Sequence, residues 1–331
     1  MRVVTLEEHV SFAALTDRID KGAIARRGFV PGTSRPAGNP QPELEDVGDG
    51  RLKSMDESGI TMQVLSVSGP GAELLDGDWG IALARDYNDA ICEKVSAHPT
   101  RFAAFAHLPM TVPQAAADEL ERAVEKLGFC GALINGATND RFLDDRQFAP
   151  ILERAERLAV PLYLHPGIPP QAVRDVYYSG MSPIADRLLA MAGFGWHAET
   201  AIHVLRLIVS GTLDRYPKLQ LIIGHMGEML PMMMARCDQV FAPEFVGIRR
   251  SVQQTLREQV HITTSGLFTL PPLMAAIDTF GIDRVMFSID YPYSSNVIGR
   301  KYLDSLPFAP VDIEKIAHLN ADRLLRRLAH A

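Results

Sequence analysis

Eight short runs of β-branched and apolar residues recur along this chain, separated in most places by longer amphipathic stretches. The runs are Val3–Leu6, Met62–Val67, Phe102–Ala106, Ala132–Ile134, Leu162–Leu164, Leu219–Ile223, Ile262–Thr264 and Val285–Ser288. The stretches include Ile81–Val95, Gln114–Leu127, Phe148–Leu158, Ala198–Ser210 and Pro272–Phe280. In the second of these, Ala117, Leu120, Val124 and Leu127 share one helical face, with Glu119, Glu121 and Lys126 turned away from it. Eight such alternations fit a closed parallel (β/α)8 TIM barrel better than an open doubly wound sheet. No GxGxxG follows the first run, which argues further against a dinucleotide-binding sheet. The 331 residues lie within the length of one barrel, and no linker, fixed-period repeat or low-complexity tract divides them. The chain therefore reads as a single domain over residues 1–331.

Two segments break the rhythm. Gly28–Gly48 is crowded with Pro and Gly and reads as irregular, and Gly167–Pro183 is a second long connection after the fifth run. Connections of this length in a compact domain tend to be lids or binding loops, here placed at the C-terminal face of the barrel. The tail Val311–Ala331 reads as a helix with Ile316, Leu319 and Leu324 inward.

Charge and cysteine content narrow the partners. A formal charge of -7 gives nucleic acid no basic surface. Cys92, Cys130 and Cys237 are far apart with no CxxC pair, so a disulfide framework or thiolate zinc site is not expected. No apolar run approaches the ~20 residues of a membrane span, and the N-terminus carries no signal-peptide core, so a cytoplasmic protein is expected. Any metal must be held by histidine and carboxylate.

Such residues sit at the ends of the runs. Glu7-Glu8-His9 follows the first, and alternation along an extended segment points Glu7 and His9 one way and Glu8 the other. His165 follows the fifth, His225 the sixth within His225-Met226-Gly227-Glu228, and Asp290 the eighth. All lie at C-terminal strand ends, the rim where barrel active sites are built. Two carboxylates and three imidazoles on that rim suit one divalent ion with nitrogen and oxygen ligands, Zn²⁺ or Mn²⁺. His98, His318 and His330 read as surface or core residues. His107 and His261 flank strands, and His197 and His203 lie near the helix Ala198–Ser210; none of these four is given a ligand role, and His197 is not expected to face the cavity.

The ordered strings Leu6-Glu7-Glu8-His9, Gly28-Phe29-Val30-Pro31-Gly32, Gly131-Ala132-Leu133-Ile134-Asn135-Gly136, Tyr163-Leu164-His165-Pro166, Gly224-His225-Met226-Gly227-Glu228, His261-Ile262-Thr263-Thr264-Ser265-Gly266 and Phe287-Ser288 to Asp290 run nearly end to end. They resemble the decarboxylase branch of the amidohydrolase superfamily, which includes γ-resorcylate, 2,3-dihydroxybenzoate and aminocarboxymuconate-semialdehyde decarboxylases. The resemblance implies metal ligands at Glu7, His9, His165 and Asp290. It implies a substrate carboxylate near His225, which pairs with Glu228, and a ring capped by Phe29. Arg236 matches a family arginine near the site, reached from a neighbouring subunit, and relatives are homodimers or homotetramers. His165-Pro166-Gly167 and Asp290-Tyr291-Pro292 depart from the family's usual HPR and DWP, so the ring substituents stay open.

The implied activity is non-oxidative decarboxylation of an ortho-hydroxylated aromatic acid, with no organic cofactor. Asp290 would protonate the ring carbon, its own proton held by burial near like charge. The alternative is a hydrolase, such as a lactonase, or a hydratase using metal-bound water. Ile134-Asn135-Gly136 lacks the lysine that bridges two metals in some relatives. A non-catalytic barrel is a third reading, since fold does not prove function.

Overall fold

The structure, a computed structural model, describes residues 1–26, 39–325 and 328. Phe29 and His330 lie outside them. Eight parallel strands follow one another in chain order: β1 Val4–Val10, β2 Met62–Val67, β3 Phe102–Ala104, β4 Ala132–Asn135, β5 Leu162–His165, β6 Leu221–Ile223, β7 Val260–Thr263 and β8 Val285–Met286. β1 to β3 pair as one ladder and β4 to β8 as another. A parallel bridge between Ala106 and Ala132 joins β3 to β4. The His9 amide donates to the Tyr291 carbonyl at 2.7 Å and joins β1 to the chain after β8. The ring is closed, and the fold is the (β/α)8 barrel that the alternation predicts.

The strands are apolar because both faces are covered. Val4, Leu6, Met62, Val64, Phe105, Leu133, Tyr163, Ile222 and Met286 pack with one another inside the barrel. Their alternates, among them Leu65, Phe102, Ile134, Leu162, Ile223 and Ile262, pack outward against helix residues such as Leu83, Ile91, Leu120 and Ile151. The five predicted helices form as Gly77–Ala97, Pro113–Lys126, Ala149–Leu158, Gly195–Val209 and Leu270–Phe280.

Three expectations are corrected. Glu119 is not turned to solvent; it is buried between two helices, where Asn88 (2.7 Å) and Arg122 (2.8 Å) saturate its carboxylate. Gly28–Gly48 is not irregular throughout, because Pro42 sits in the first turn of a short helix, Gln41–Glu45, where its missing N–H costs nothing. The tail does not keep one α-helical phase: a π-helical turn over Lys315–Leu319 shifts the register, so Ile316, Ala317, Asn320 and Ala321 face in and Leu319 is 40% exposed.

Two histidines far from the strand-end cluster tie stability to pH. Burial, helped by Arg206 at His203 and by Arg284 and Arg323 at His261, pushes both imidazoles down to about 3. His203 stays neutral and accepts the Leu143 amide on Nε2 at 3.0 Å. In the unfolded chain each titrates near ~6.5, so below that pH the unfolded state takes up protons that the folded state refuses. Their stabilising contribution is whole above ~6.5 and declines as pH falls towards ~3. His203→Gln, neutral and still able to accept from Leu143, is expected to flatten the fall of melting temperature between pH 6.5 and 4. An unaltered pH profile would contradict this account.

Candidate metal and active site

The site begins with an irregularity in β1. Val4 and Leu6 point into the barrel, so strict alternation would send Glu8 inward after them and Glu7 and His9 outward. The register against β2 slips between Thr5 and Glu8, with Thr5 opposite Gln63 and Glu8 opposite Leu65. This bulge exchanges the faces. Glu7 and His9 consequently reach the mouth of the barrel, and Glu8 lies on the other side beside Gln63.

At the mouth, Glu7 is fully buried and its two oxygens differ. Oε2 accepts from the Tyr163 and Ser265 hydroxyls, and Thr263 bonds both of these in turn. A side chain at Gly224 would meet that oxygen at 2.6 Å, so only glycine fits there. Oε1 makes no hydrogen bond, although His165 Nε2 is 3.3 Å away. His9 repeats the pattern: Nδ1 contacts the Ser66 hydroxyl at 3.3 Å, while Nε2, 3.3 Å from Asp290 Oδ1, has no hydrogen-bonded partner. The ligand atoms of Glu7, His9 and His165 lie within 4.8 Å of one another. Buried polar atoms this close but unaligned cost energy unless a common partner lies between them. Their chemistry, two imidazole nitrogens and a carboxylate with a second carboxylate beside them, is that of a divalent-ion site. Asp290 joins from the turn after β8, in a left-handed conformation with φ 66°.

The chain after β6 makes a tight turn in which His225, Met226, Glu228 and Met229 all have positive φ. It places His225 Nε2 3.8 Å from Glu7 Oε1 and 3.9 Å from Asp290 Oδ2. His225 Nδ1 lies 2.7 Å from Glu228 Oε1, and His197 Nδ1 lies 2.7 Å from Glu228 Oε2. The two imidazole rings meet edge to face at 4.5 Å. His197 thus faces the site, contrary to the expectation from sequence; its helix begins at Gly195, three residues before the predicted start, and that extra turn carries it inward. A mostly apolar cavity of about 310 Å³ borders this group, walled by Phe194, Met229 and Leu267 beside His197, His225 and Glu228.

Charge settles the protonation pattern. Burial alone would lower His225 and raise Glu7, Glu228 and Asp290. The Glu228 and Glu7 carboxylates outweigh it and hold the His225 imidazole well above its ordinary value. In return His225, with His165 for Glu7, His197 for Glu228 and His9 for Asp290, holds the three carboxyls below theirs. At Asp290, burial and the Glu7 charge act in the expected direction, towards a retained proton, and His225 and His9 act against them. The facing carboxylates favour the charged form of His225.

Other expected residues lie elsewhere. Arg236 is exposed on the helix Leu230–Val240 and donates to Gln239 one turn on, so within one chain it is not part of the cluster. Sequence reading gave no role to Tyr163, Thr263 or Ser265. Their signal is a set of hydroxyls at the ends of inward-facing strands, which apolar patterning does not single out.

A family model described as Amidohydrolase matches residues 12–327. The γ-resorcylate decarboxylase of Rhizobium sp. (strain MTP-10005) is 38% identical over 335 aligned positions, covering 98% of each chain. Among solved structures, 5-carboxyvanillate decarboxylase from Sphingomonas paucimobilis superposes with a TM-score of 0.88 at 32% identity, covering 98% of this chain and 99% of that one. A dihydroxybenzoic acid decarboxylase from Polaromonas sp. JS666, with bound manganese and the inhibitor 2-nitroresorcinol, gives 0.85 at 34%, covering 98% and 97%.

Proposed function

We propose, for a chain that belongs to the amidohydrolase family, that it is a carboxy-lyase removing CO₂ without oxidation from an ortho-hydroxylated aromatic acid. The observation that carries this is the convergence of Glu7 Oε1, His9 Nε2 and His165 Nε2, beside a carboxylate, Asp290, that faces a charged imidazole.

Glu7, His9, His165 and Asp290 would hold one divalent ion. Mn²⁺ is favoured over Zn²⁺ because a similar decarboxylase holds manganese, and both suit the donor set. When bound, such an ion neutralises phenolate and carboxylate together and draws electron density from the ring. No organic cofactor is required. The protein supplies the proton. It passes from His225 through Asp290, 3.9 Å away, to the ring carbon bearing the carboxylate, and His225 takes up a replacement proton from solvent. The ortho hydroxyl stabilises the dearomatised ring, the carbon–carbon bond then breaks, its electron pair restores aromaticity, and CO₂ departs. One proton has replaced one CO₂, with no change in oxidation level of the protein. His197 and Glu228 hold His225 in place during this transfer.

The same reading takes residues 1–331 as one domain acting in the cytoplasm. No described helix is long and apolar enough to cross a membrane. Met232 and Met233, exposed on the helix that carries Arg236, and Phe245, exposed on the next short helix, favour burial against a second copy in a homodimer or homotetramer. Phe29 would close over the ring, and Arg236 would act on the neighbouring subunit's substrate. The test is a screen of hydroxybenzoates against Mn²⁺- and Zn²⁺-loaded protein with CO₂ release as readout. Release is expected from acids with an ortho hydroxyl, not from benzoate, and not after metal removal. Equal turnover of benzoate would defeat the mechanism.

A further inference from the structure

Glu8 is fully buried, yet it is not among the residues of the cluster. Its two oxygens are each bonded to the backbone on one side of Asp290. Oε1 accepts from the Ile289 amide at 3.0 Å and the Ser288 hydroxyl at 3.4 Å. Oε2 accepts from the Tyr291 amide at 3.1 Å and from Gln63 Nε2 at 3.4 Å. The backbone amides of the two residues flanking Asp290 are thereby held by one carboxylate. Between them Asp290 adopts φ 66°, in the left-handed region that aspartate tolerates better than most residues but still enters uncommonly. The neighbouring bonds tighten the same joint. His9 N donates to the Tyr291 carbonyl, and the buried Arg51 guanidinium donates to the His9 carbonyl at 2.6 Å and lies 4.8 Å over the Tyr291 ring.

We infer that Glu8 is a positioning residue for Asp290, a two-amide clamp that holds the turn after β8 in the geometry proton delivery requires. One strand then serves both sides of the site: Glu7 and His9 face the cluster, and Glu8 between them fixes the carboxylate opposite. A geometric error of ~1 Å at a reacting group costs on the order of 10²-fold in rate, so a clamp of this kind acts on turnover rather than on binding. The inference rests on the decarboxylation proposed above.

Glu8→Gln keeps the volume but has one accepting oxygen, so one flanking amide loses its partner. Glu8→Asp keeps the carboxyl group but falls a methylene short, and it carries the test if the first variant does not fold. Each is expected to lower kcat by about 10-fold or more with KM within about 2-fold, the signature of an interaction used in the transition state. Amide hydrogen exchange should quicken in a peptide spanning Phe287 to Tyr293, with the other strands unchanged and bound manganese retained. In an Asp290→Asn background Glu8→Gln should cause no further loss, because the clamp acts through Asp290. Unchanged exchange in that peptide, or losses that multiply in the double variant, would overturn the inference. If wild-type protein releases no CO₂ from any hydroxybenzoate, the functional reading fails, and the exchange measurement still decides whether Glu8 holds the turn.

Discussion

Asp290→Asn is expected to lose turnover by at least ~10²-fold, the scale for a positioned general acid, while the protein stays folded and keeps much of its metal. Asparagine adopts positive φ about as readily as aspartate, so the turn at φ 66° is not strained by the change. It retains one oxygen beside His9 Nε2 and can still ligate. What it lacks is a carboxyl able to take a proton from His225 and pass it on. Metal analysis, thermal melting and kcat on the same preparation separate these effects. Turnover within about threefold of wild type would remove Asp290 from proton delivery.

Glu7→Ala and His9→Ala are each expected to lose metal and activity together. Loss of an outer-shell partner alone typically costs ~10–100-fold in metal affinity, and these residues contribute ligand atoms, so the loss should be larger. In Glu7→Ala the hydroxyls of Tyr163 and Ser265 also lose their buried acceptor, and His165 and His225 lose a facing carboxylate. Dialysis against a weak chelator followed by metal analysis gives the answer. Full occupancy in either variant would mean that the convergence of these atoms serves something other than an ion.

The barrel was largely legible in the sequence because the strands are mostly apolar and helices carry a 3.6-residue period. β2 matches its predicted bounds, and the others differ at their ends. β8 stops at Met286, not Ser288, because the Phe287 amide turns to the Ile316 carbonyl in the tail. That pairing joins residues far apart in the chain, which a local pattern does not register. The π-helical turn that moved Leu319 outward has no mark in the local pattern, and the Asn320 side chain just after it donates to the distant carbonyls of Ile282 and Val285.

The site was legible in part. Histidines and acids at strand ends could be placed on the rim from position alone. The inward choice of Glu7 and His9 followed from alternation between them, yet alternation counted from Val4 and Leu6 gives the opposite answer, and a bulge decides it. Bulges leave no reliable mark in a single sequence. His197 was missed because its role comes from a helix start two residues before it and from Glu228, thirty-one positions on. Asp290 was expected to be protonated from burial near like charge. Burial and Glu7 do act in that direction, but His225 and His9 oppose them, and their proximity is a tertiary fact.

The central claim is that a proton is placed on carbon as CO₂ leaves. The most direct measurement follows the product of the metal-loaded enzyme from an accepted hydroxybenzoate in D₂O and, separately, in ¹⁸O-labelled water. The account predicts one deuterium on the carbon that carried the carboxylate, with no solvent oxygen in the aromatic product. A protein that releases no CO₂ from any hydroxybenzoate, yet opens a lactone with ¹⁸O entering from water, would contradict it and identify a hydrolase.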